Sequence, residues 1–71
     1  MITKEMLKNV VERLNRITKR EYRVESSYGG WKLVVRENEG YSDITYGYIS
    51  KKELYYTILS IIRVLEKEKE T

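Results

Sequence analysis

The first 18 positions of the chain carry an amphipathic helical pattern. Five apolar residues recur at helical spacing and form one stripe: Leu7, Val10, Val11, Leu14 and Ile17. This spacing predicts a helix over about Lys4 to Thr18. Thr3 stands just before it, and its hydroxyl is suited to accept a hydrogen bond from a backbone N–H of the first turn.

The pattern then changes to period two, which is typical of strands. Two alternating segments flank a Gly-Gly pair at positions 29–30, and glycine suits a two-residue hairpin turn because it adopts positive φ at little cost. With this turn we expect Tyr28 to pair with Trp31. Val24 then pairs with Val35, and all four side chains lie on the face of the sheet that covers the core.

A third strand is predicted after the segment "ENEG". An even loop length puts Ile44, Tyr46 and Tyr48 on the core face. A three-residue loop would put the carboxylate of Asp43 there instead, which is costly. We therefore predict an even length, and preferably two residues, because that length sets Asp43 opposite Arg36 as a favourable cross-strand ion pair.

The last element has the strongest local signal in the chain. Ser50 and Glu53 have the spacing of a capping box, which marks the start of a helix. An apolar stripe follows it: Leu54, Tyr55, Ile58, Ile61, Ile62 and Leu65. Its arc is about 160° wide, which is more than a helix on a three-stranded sheet needs. We expect part of the surplus to pack on the first helix and the remainder to form a surface for a partner or for self-association, unless ordinary packing between the helices covers all of it.

Together these elements predict an α+β fold of the order α-β-β-β-α. It consists of a three-stranded antiparallel meander with two helices packed on one face. Residues 1–65 form a single domain in this prediction, because 71 residues leave no room for a second one. Residues 66–71 are predicted to be a charged, frayed tail.

The composition argues against catalysis. The chain has no His and no Cys, so the common nucleophile–base pairs and zinc ligand sets are missing. Its clustered carboxylates, Glu37, Glu39 and Asp43, lie in or beside a turn where water solvates them. No apolar run approaches the roughly 20 residues of a membrane span. We expect a non-enzymatic, cytoplasmic protein with no cofactor, no metal and no membrane contact.

Positive charge is concentrated in the first half. Residues 1–36 hold nine Lys and Arg against four acidic residues, whereas residues 37–71 hold five against seven. A basic cluster lies near the end of the first helix: Arg13, Arg16, Lys19, Arg20 and Arg23. Such a cluster suits nucleic acid or an acidic protein. Alternatively, it is a solvated helix end, because cations complement the helix dipole there.

The element order and the segment "SKKEL" resemble the double-stranded RNA-binding domain. In that family, lysines at the start of the second helix bind phosphates, while the first helix and the first hairpin loop read minor grooves. The resemblance implies RNA binding through Lys51 and Lys52, the two positions that match the family. In this alternative the basic end of the first helix, with Arg13, Arg16 and Arg20, also contacts nucleic acid. The chain departs from the family in its short Gly-Gly loop and in the large side chains of its second helix.

The strings "YGGWKLV" and "GYSDITYGYISKKELYYTI" resemble a group of small proteins from phages and prophages of Gram-positive hosts. This resemblance implies an accessory phage protein that works in the cytoplasm of the host bacterium. It further implies inhibition of a host factor or an anti-phage defence component. The means would be protein contacts or the sequestration of a nucleotide signal.

Tyrosine dominates the aromatic residues, with seven Tyr, one Trp and no Phe, and such a set is typical of interfaces. The predicted partner-binding residues are Tyr28, Trp31, Lys32, Tyr46, Tyr48 and Tyr56. In the alternative, Tyr28 and Trp31 simply cap the edge of the core. If the partner is a nucleotide, the aromatic rings stack on bases while Lys32, Arg23 or Arg36 contacts phosphates.

Overall fold

The computed structural model describes residues 1–70, and all of their side chains except that of Glu70. Its elements are α1 (Lys4–Thr18), β1 (Tyr22–Ser27), β2 (Gly30–Glu37), β3 (Gly40–Asp43) and α2 (Lys51–Glu70). The strands form one antiparallel sheet in the order β1-β2-β3. Both helices pack on the same face of this sheet, so the predicted α-β-β-β-α architecture is confirmed.

The helix α1 has the predicted bounds and the predicted N-cap. The hydroxyl of Thr3 accepts a hydrogen bond from the backbone N–H of Met6 at 3.1 Å. The helix ends at Thr18, and the residue that caps it, Lys19, adopts a left-handed conformation with φ of 61°. Its N–H donates to the carbonyl of Asn15 at 2.9 Å. These local bonds satisfy backbone groups that a helix end leaves without intrahelical partners.

The core lies between the two helices and the first two strands. Its buried members are Leu7, Val10, Val11, Leu14, Leu33, Leu54, Ile58 and Ile62. The helix α1 lies over β1 and α2 lies over β2, while α1 and α2 contact each other. Part of the wide apolar arc of α2 therefore packs on α1, as predicted.

The first hairpin turns one residue earlier than predicted. Its turn is Tyr28-Gly29, and Ser27 pairs with Gly30. Val24 therefore pairs with Leu33 rather than with Val35. This partner shift of two residues preserves side-chain parity, so β1 and β2 present the predicted residues to the core. Tyr28, however, lies outside the strand and is 94% exposed, so its assignment to the core face is wrong.

The two glycines of this hairpin serve different purposes. Gly29 follows Tyr28 in the turn, and both have positive φ, 53° for Tyr28 and 72° for Gly29, as a type I′ turn requires. Gly30 instead lies against the segment that precedes α2. A Cβ on Gly30 would lie 2.8 Å from the Cβ of Tyr48, so only glycine permits this approach.

The second hairpin has the predicted two-residue length, but its position differs. The turn is Asn38-Glu39, which sets Asp43 opposite Val34 and Tyr41 opposite Arg36. The predicted Asp43–Arg36 pair is therefore wrong.

Beyond Asp43 the chain leaves the strand pattern, and the predicted core face of this segment is wrong. Ile44, Tyr46 and Tyr48 are all exposed, whereas Thr45 is buried. The hydroxyl of Thr45 accepts the N–H of Leu33 at 3.2 Å, in place of a backbone carbonyl. Because a side chain replaces the backbone as the acceptor here, the regular hydrogen-bond pattern between β2 and β3 ends. The chain rejoins β2 further on, where Trp31 and Ile49 exchange two backbone hydrogen bonds of 2.7 Å.

The helix α2 begins at the predicted cap, because the hydroxyl of Ser50 accepts the N–H of Glu53 at 3.1 Å. It continues to Glu70, so the segment predicted to be a frayed tail is helical that far. Thr71 lies outside the described residues. Glu66 forms an ion pair with Arg13 at 3.0 Å, which ties this part of α2 to α1.

Candidate functional site

The face of the sheet that the helices leave open carries a set of paired polar side chains. Alternation along the three strands places these residues on it: Arg23, Glu25, Lys32, Val34, Arg36, Tyr41 and Asp43. Val34 is only 1% exposed, although no helix covers this face. Its burial implies that the long side chains of its neighbours lie across it and cover it with their methylene stems.

Lys32 is the centre of this open face. Its Nζ lies 3.1 Å from Asp43 Oδ1 and 3.9 Å from Glu25 Oε1, and 5.0 Å from the ring centroid of Tyr48. The hydrogen bond to Asp43 raises the pKa of Lys32 above its ordinary value, and partial burial opposes this rise without cancelling it. Lys32 was predicted to contact a partner, and in the structure its charge is already paired inside the protein.

Tyr48 extends this arrangement toward the first hairpin. Its ring meets that of Tyr28 edge to face, with centroids 5.9 Å apart and planes at 71°. This geometry is one that aromatic pairs prefer. Tyr46, two residues earlier in the same loop, is fully exposed. We call Tyr28, Tyr46 and Tyr48 the tyrosine patch.

Tyr28 is the most unusual member of the tyrosine patch. It is a large aromatic residue with φ of 53°, in the left-handed region that favours glycine and asparagine. A non-glycine residue there costs roughly 1–2 kcal/mol. Since 94% of the side chain is exposed, little burial offsets this cost. The edge-to-face contact with Tyr48 offsets part of the cost, but glycine or asparagine would avoid the cost, so the backbone conformation does not call for a tyrosine at this position.

A second cation–aromatic pair lies across the open face. Arg23 donates a hydrogen bond to the hydroxyl of Tyr41 at 3.1 Å, and its guanidinium carbon lies 4.9 Å from the ring centroid. This hydrogen bond raises the pKa of Arg23 above its ordinary value. Tyr41 was not among the residues predicted to form a site. Its period-two position beside the basic residues of the open face was the available signal.

Trp31 belongs to the opposite, helix-covered side of the sheet. It is half-buried beside the core, and two ammonium groups approach its ring, Lys4 Nζ at 5.9 Å and Lys51 Nζ at 5.6 Å from the centroid. Tyr28 and Trp31 were both predicted to bind a partner, and the sheet separates their side chains.

Tyr56 also lies apart from the tyrosine patch. It is on the outer surface of α2, 52% exposed, and meets Tyr55 edge to face at 5.4 Å. Val64 is exposed on the same helix. Self-association through α2 stays a prediction.

The residues predicted to bind nucleic acid do not form one patch. Arg13 is paired with Glu66. Lys51 and Lys4 both approach the ring of Trp31, near the start of α1. Arg16 lies 12 residues after Lys4 along the same helix. That separation is about 18 Å at the rise of an α-helix. Arg20 lies further still, beyond the end of α1, and Lys52 is exposed at the start of α2.

Residues 1–70 lack two features that mark other classes of protein. No group of three His, Cys, Asp or Glu side chains comes together there as a metal ion would require. No described helix combines the length and the apolar character needed to cross a membrane.

Comparisons of the chain with known protein families, curated proteins and solved structures found no match.

Proposed function

We propose that this chain is a small, non-enzymatic binding protein that contacts a partner protein through the tyrosine patch. The observation that carries this proposal is Tyr28, which is held fully exposed at a left-handed backbone position. A residue that costs stability and gains little from burial is a candidate for function.

The chemistry of the patch suits protein recognition. Tyrosine offers a large apolar ring with a polar end and is enriched at interface hot spots. The ring of Tyr48 lies between Tyr28 and Lys32, and Lys32 is itself fixed by Asp43. Side chains that are ordered before binding lose less entropy when a partner arrives.

The partner is proposed from the resemblance to phage accessory proteins. It is a host factor or an anti-phage defence component in the bacterial cytoplasm, and binding would inhibit it. A protein of 71 residues has enough surface for one interface of standard size, about 800 Å² per partner. Blocking another protein requires no chemistry beyond such contact.

The test is capture from a bacterial host lysate with two matched variants. Tyr28→Asn removes the exposed ring and introduces Asn-Gly, the dipeptide favoured in type I′ turns. Tyr56→Ala removes another exposed tyrosine, on α2. We expect the parent and Tyr56→Ala to retain a stoichiometric protein partner after nuclease treatment, and Tyr28→Asn to lose it.

Three results contradict the proposal. Equal capture by Tyr28→Asn would remove the tyrosine patch from the interface. Loss only in Tyr56→Ala would move the interface to α2. Loss of all bound material on nuclease treatment would favour nucleic acid, and substitution of Lys51 and Lys52 by glutamate should then abolish binding in a salt-dependent manner.

A further inference from the structure

A groove lies between α1 and the edge strand β1, on the other side of the sheet from the tyrosine patch. Its volume is about 430 Å³. Apolar side chains that line it include Leu7, Val11 and Val24. Trp31 lies at one end of the groove, and Asn15 lies with Tyr22 at the other. The groove follows the strand along its unpaired edge.

Backbone hydrogen bonds define which residues of β1 face this edge. The N–H of Arg36 donates to the carbonyl of Glu21, so the odd-numbered residues of this segment bond to β2. In an antiparallel ladder the intervening residues, Tyr22, Val24 and Ser26, then point their N–H and C=O groups outward.

One of these three residues is already satisfied. The side-chain amide of Asn15 donates to the carbonyl of Tyr22 at 3.1 Å and accepts its N–H at 2.7 Å. It occupies both outward groups of Tyr22, as a neighbouring strand would. Within residues 1–70, no group bonds to the outward N–H or C=O of Val24 or Ser26. Val24 and Ser26 are therefore the residues of this edge whose outward backbone groups are unpaired. Asn15 closes one end of the edge by its bonds to Tyr22.

Charged side chains of both signs line the groove, three basic (Lys4, Lys8 and Arg23) and two acidic (Glu5 and Glu12), which leaves a small excess of positive charge. The ammonium groups of Lys4 and Lys51 both lie within 6 Å of the Trp31 ring centroid. Among the side chains that the structure describes, no carboxylate lies within ion-pair distance of either lysine. Trp31 lies directly opposite Ser26 in the sheet. Two cations without a carboxylate partner therefore lie over Trp31, the residue that faces Ser26 across the sheet.

We propose that this edge binds an extended acidic segment of a partner protein as an added antiparallel strand. The peptide residue opposite Val24 projects its side chain toward the helix side, as Val24 does, and an apolar side chain fits the groove there. The residue opposite Ser26 comes two positions earlier in the peptide. A carboxylate on it reaches toward Lys4 and Lys51. The preferred sequence is thus acidic, any residue, apolar, and its backbone forms about four hydrogen bonds with β1.

The test uses the full chain, labelled with ¹⁵N, and the peptide acetyl-Thr-Thr-Glu-Thr-Val-Thr-Thr-amide at up to about 1 mM, a concentration suited to weak binding. We expect the amide signals of Val24 and Ser26 to shift and their hydrogen exchange to slow. The amides of Arg23 and Glu25 already bond to β2, so their exchange should change little. A peptide with Lys in place of Glu serves as the control, and we expect it to bind roughly tenfold more weakly.

Two protein variants separate the backbone from the charge. Ser26→Pro removes an outward N–H without removing a bond to β2, and proline is tolerated at such edge positions. We expect it to abolish peptide binding. Lys4 and Lys51 are the first residues of α1 and α2, where the helix dipole favours a negative side chain, so replacing both by glutamate should not destabilise the helices. This double variant should lose the preference for the Glu peptide. This second variant tests the proposal even if Ser26→Pro does not fold, and an unchanged preference would contradict it.

Four further results would overturn the inference. The first is absence of binding, and the second is binding that leaves the exchange of Val24 and Ser26 unchanged. The third is equal shifts from a short RNA duplex, which would assign the lysines to nucleic acid. The fourth is protection of both amides in a dimer without peptide, which would make a second copy the occupant. Tyr28→Asn should leave peptide binding intact, so this inference and the proposed function fail independently.

Discussion

The two faces of the sheet bury apolar residues by different means. On one face Leu33 is completely buried beneath the two helices. On the other, Val34 is 1% exposed with no helix above it, among paired side chains such as Lys32–Asp43 and Arg23–Tyr41. The helix-covered face gains stability from apolar packing. The open face also holds its polar side chains in fixed positions, which is what a binding surface requires.

The largest expected effect is on the helix-covered face. Leu33→Ala leaves a cavity in the core where α1, α2 and β2 meet, and we expect the free energy of unfolding to fall by about 2–5 kcal/mol. Urea denaturation followed by circular dichroism measures this change. A loss below about 1 kcal/mol would contradict the assignment of Leu33 to the centre of the core.

A smaller loss is expected where the two faces meet the first hairpin. Gly30→Ala places a methyl group 2.8 Å from the Cβ of Tyr48, and such overpacking typically costs about 1–3 kcal/mol. Gly40→Ala is the matched control, because no atom lies within 4 Å of the added Cβ and its φ is not positive. Thermal denaturation should therefore separate the two variants. Equal melting temperatures would mean that Tyr48 does not lie against the hairpin.

On the open face, Val34→Ala tests the cover of paired side chains directly. We expect a loss of about 1–2 kcal/mol, because the site is buried but the long side chains above it can settle into the vacated space. A loss as large as that of Leu33→Ala would show that this face is packed as rigidly as the core. No loss would show that the paired side chains do not cover Val34.

The smallest effect concerns the charge of Lys32. Its pKa is raised in the folded state from the ordinary value of 10.5, so its stabilising contribution is present below that value and is lost as the pH rises through the folded-state pKa. Lys32→Met keeps an apolar stem over the sheet without the charge. The stability difference between the parent and this variant should be constant near neutral pH and should shrink above about pH 10.5. A difference that grows with alkaline pH would contradict the ion pair.

The elements that local patterns determine could be predicted from the sequence. The bounds of α1, the caps at Thr3 and Ser50, and the faces of β1 and β2 depend on neighbours within a few residues. The predicted strand partners in the first hairpin were wrong by two residues. A shift of two keeps each side chain on the same face, so the core residues of β1 and β2 were still predicted correctly. The even loop length of the second hairpin was predicted from parity as well, since only an even length keeps Asp43 off the core face. The preference for two residues rested on an Asp43–Arg36 pair that the structure does not form.

The features that the sequence did not predict depend on contacts between distant segments. The turn falls at Tyr28-Gly29 because Gly30 must accommodate Tyr48, 18 residues later. The strand β3 ends early because a side-chain hydroxyl, that of Thr45, bonds to Leu33. The groove arises where Asn15 meets the backbone of Tyr22. Neither periodicity nor composition reports such contacts.

All three members of the tyrosine patch were among the predicted partner-binding residues, although the sequence placed them on the core face. The structure brings two of them, Tyr28 and Tyr48, into ring contact on the other side of the sheet. Trp31 and Tyr56 were grouped with them because sequence proximity and residue type do not reveal which side of a sheet a residue occupies. Because Tyr28 and Trp31 lie on opposite sides of the sheet, the molecule has two candidate surfaces, the tyrosine patch and the groove along β1.

Folding and binding measured in the same variant, Tyr28→Asn, would decide whether Tyr28 is retained for contact with a partner. We predict that the free energy of unfolding rises by about 0.5–1 kcal/mol, because Asn-Gly relieves the left-handed strain at the turn. We also predict that the variant loses the protein partner that the parent captures. A variant that is less stable than the parent, or that is more stable and still captures the partner, would contradict the proposed role of Tyr28 in binding.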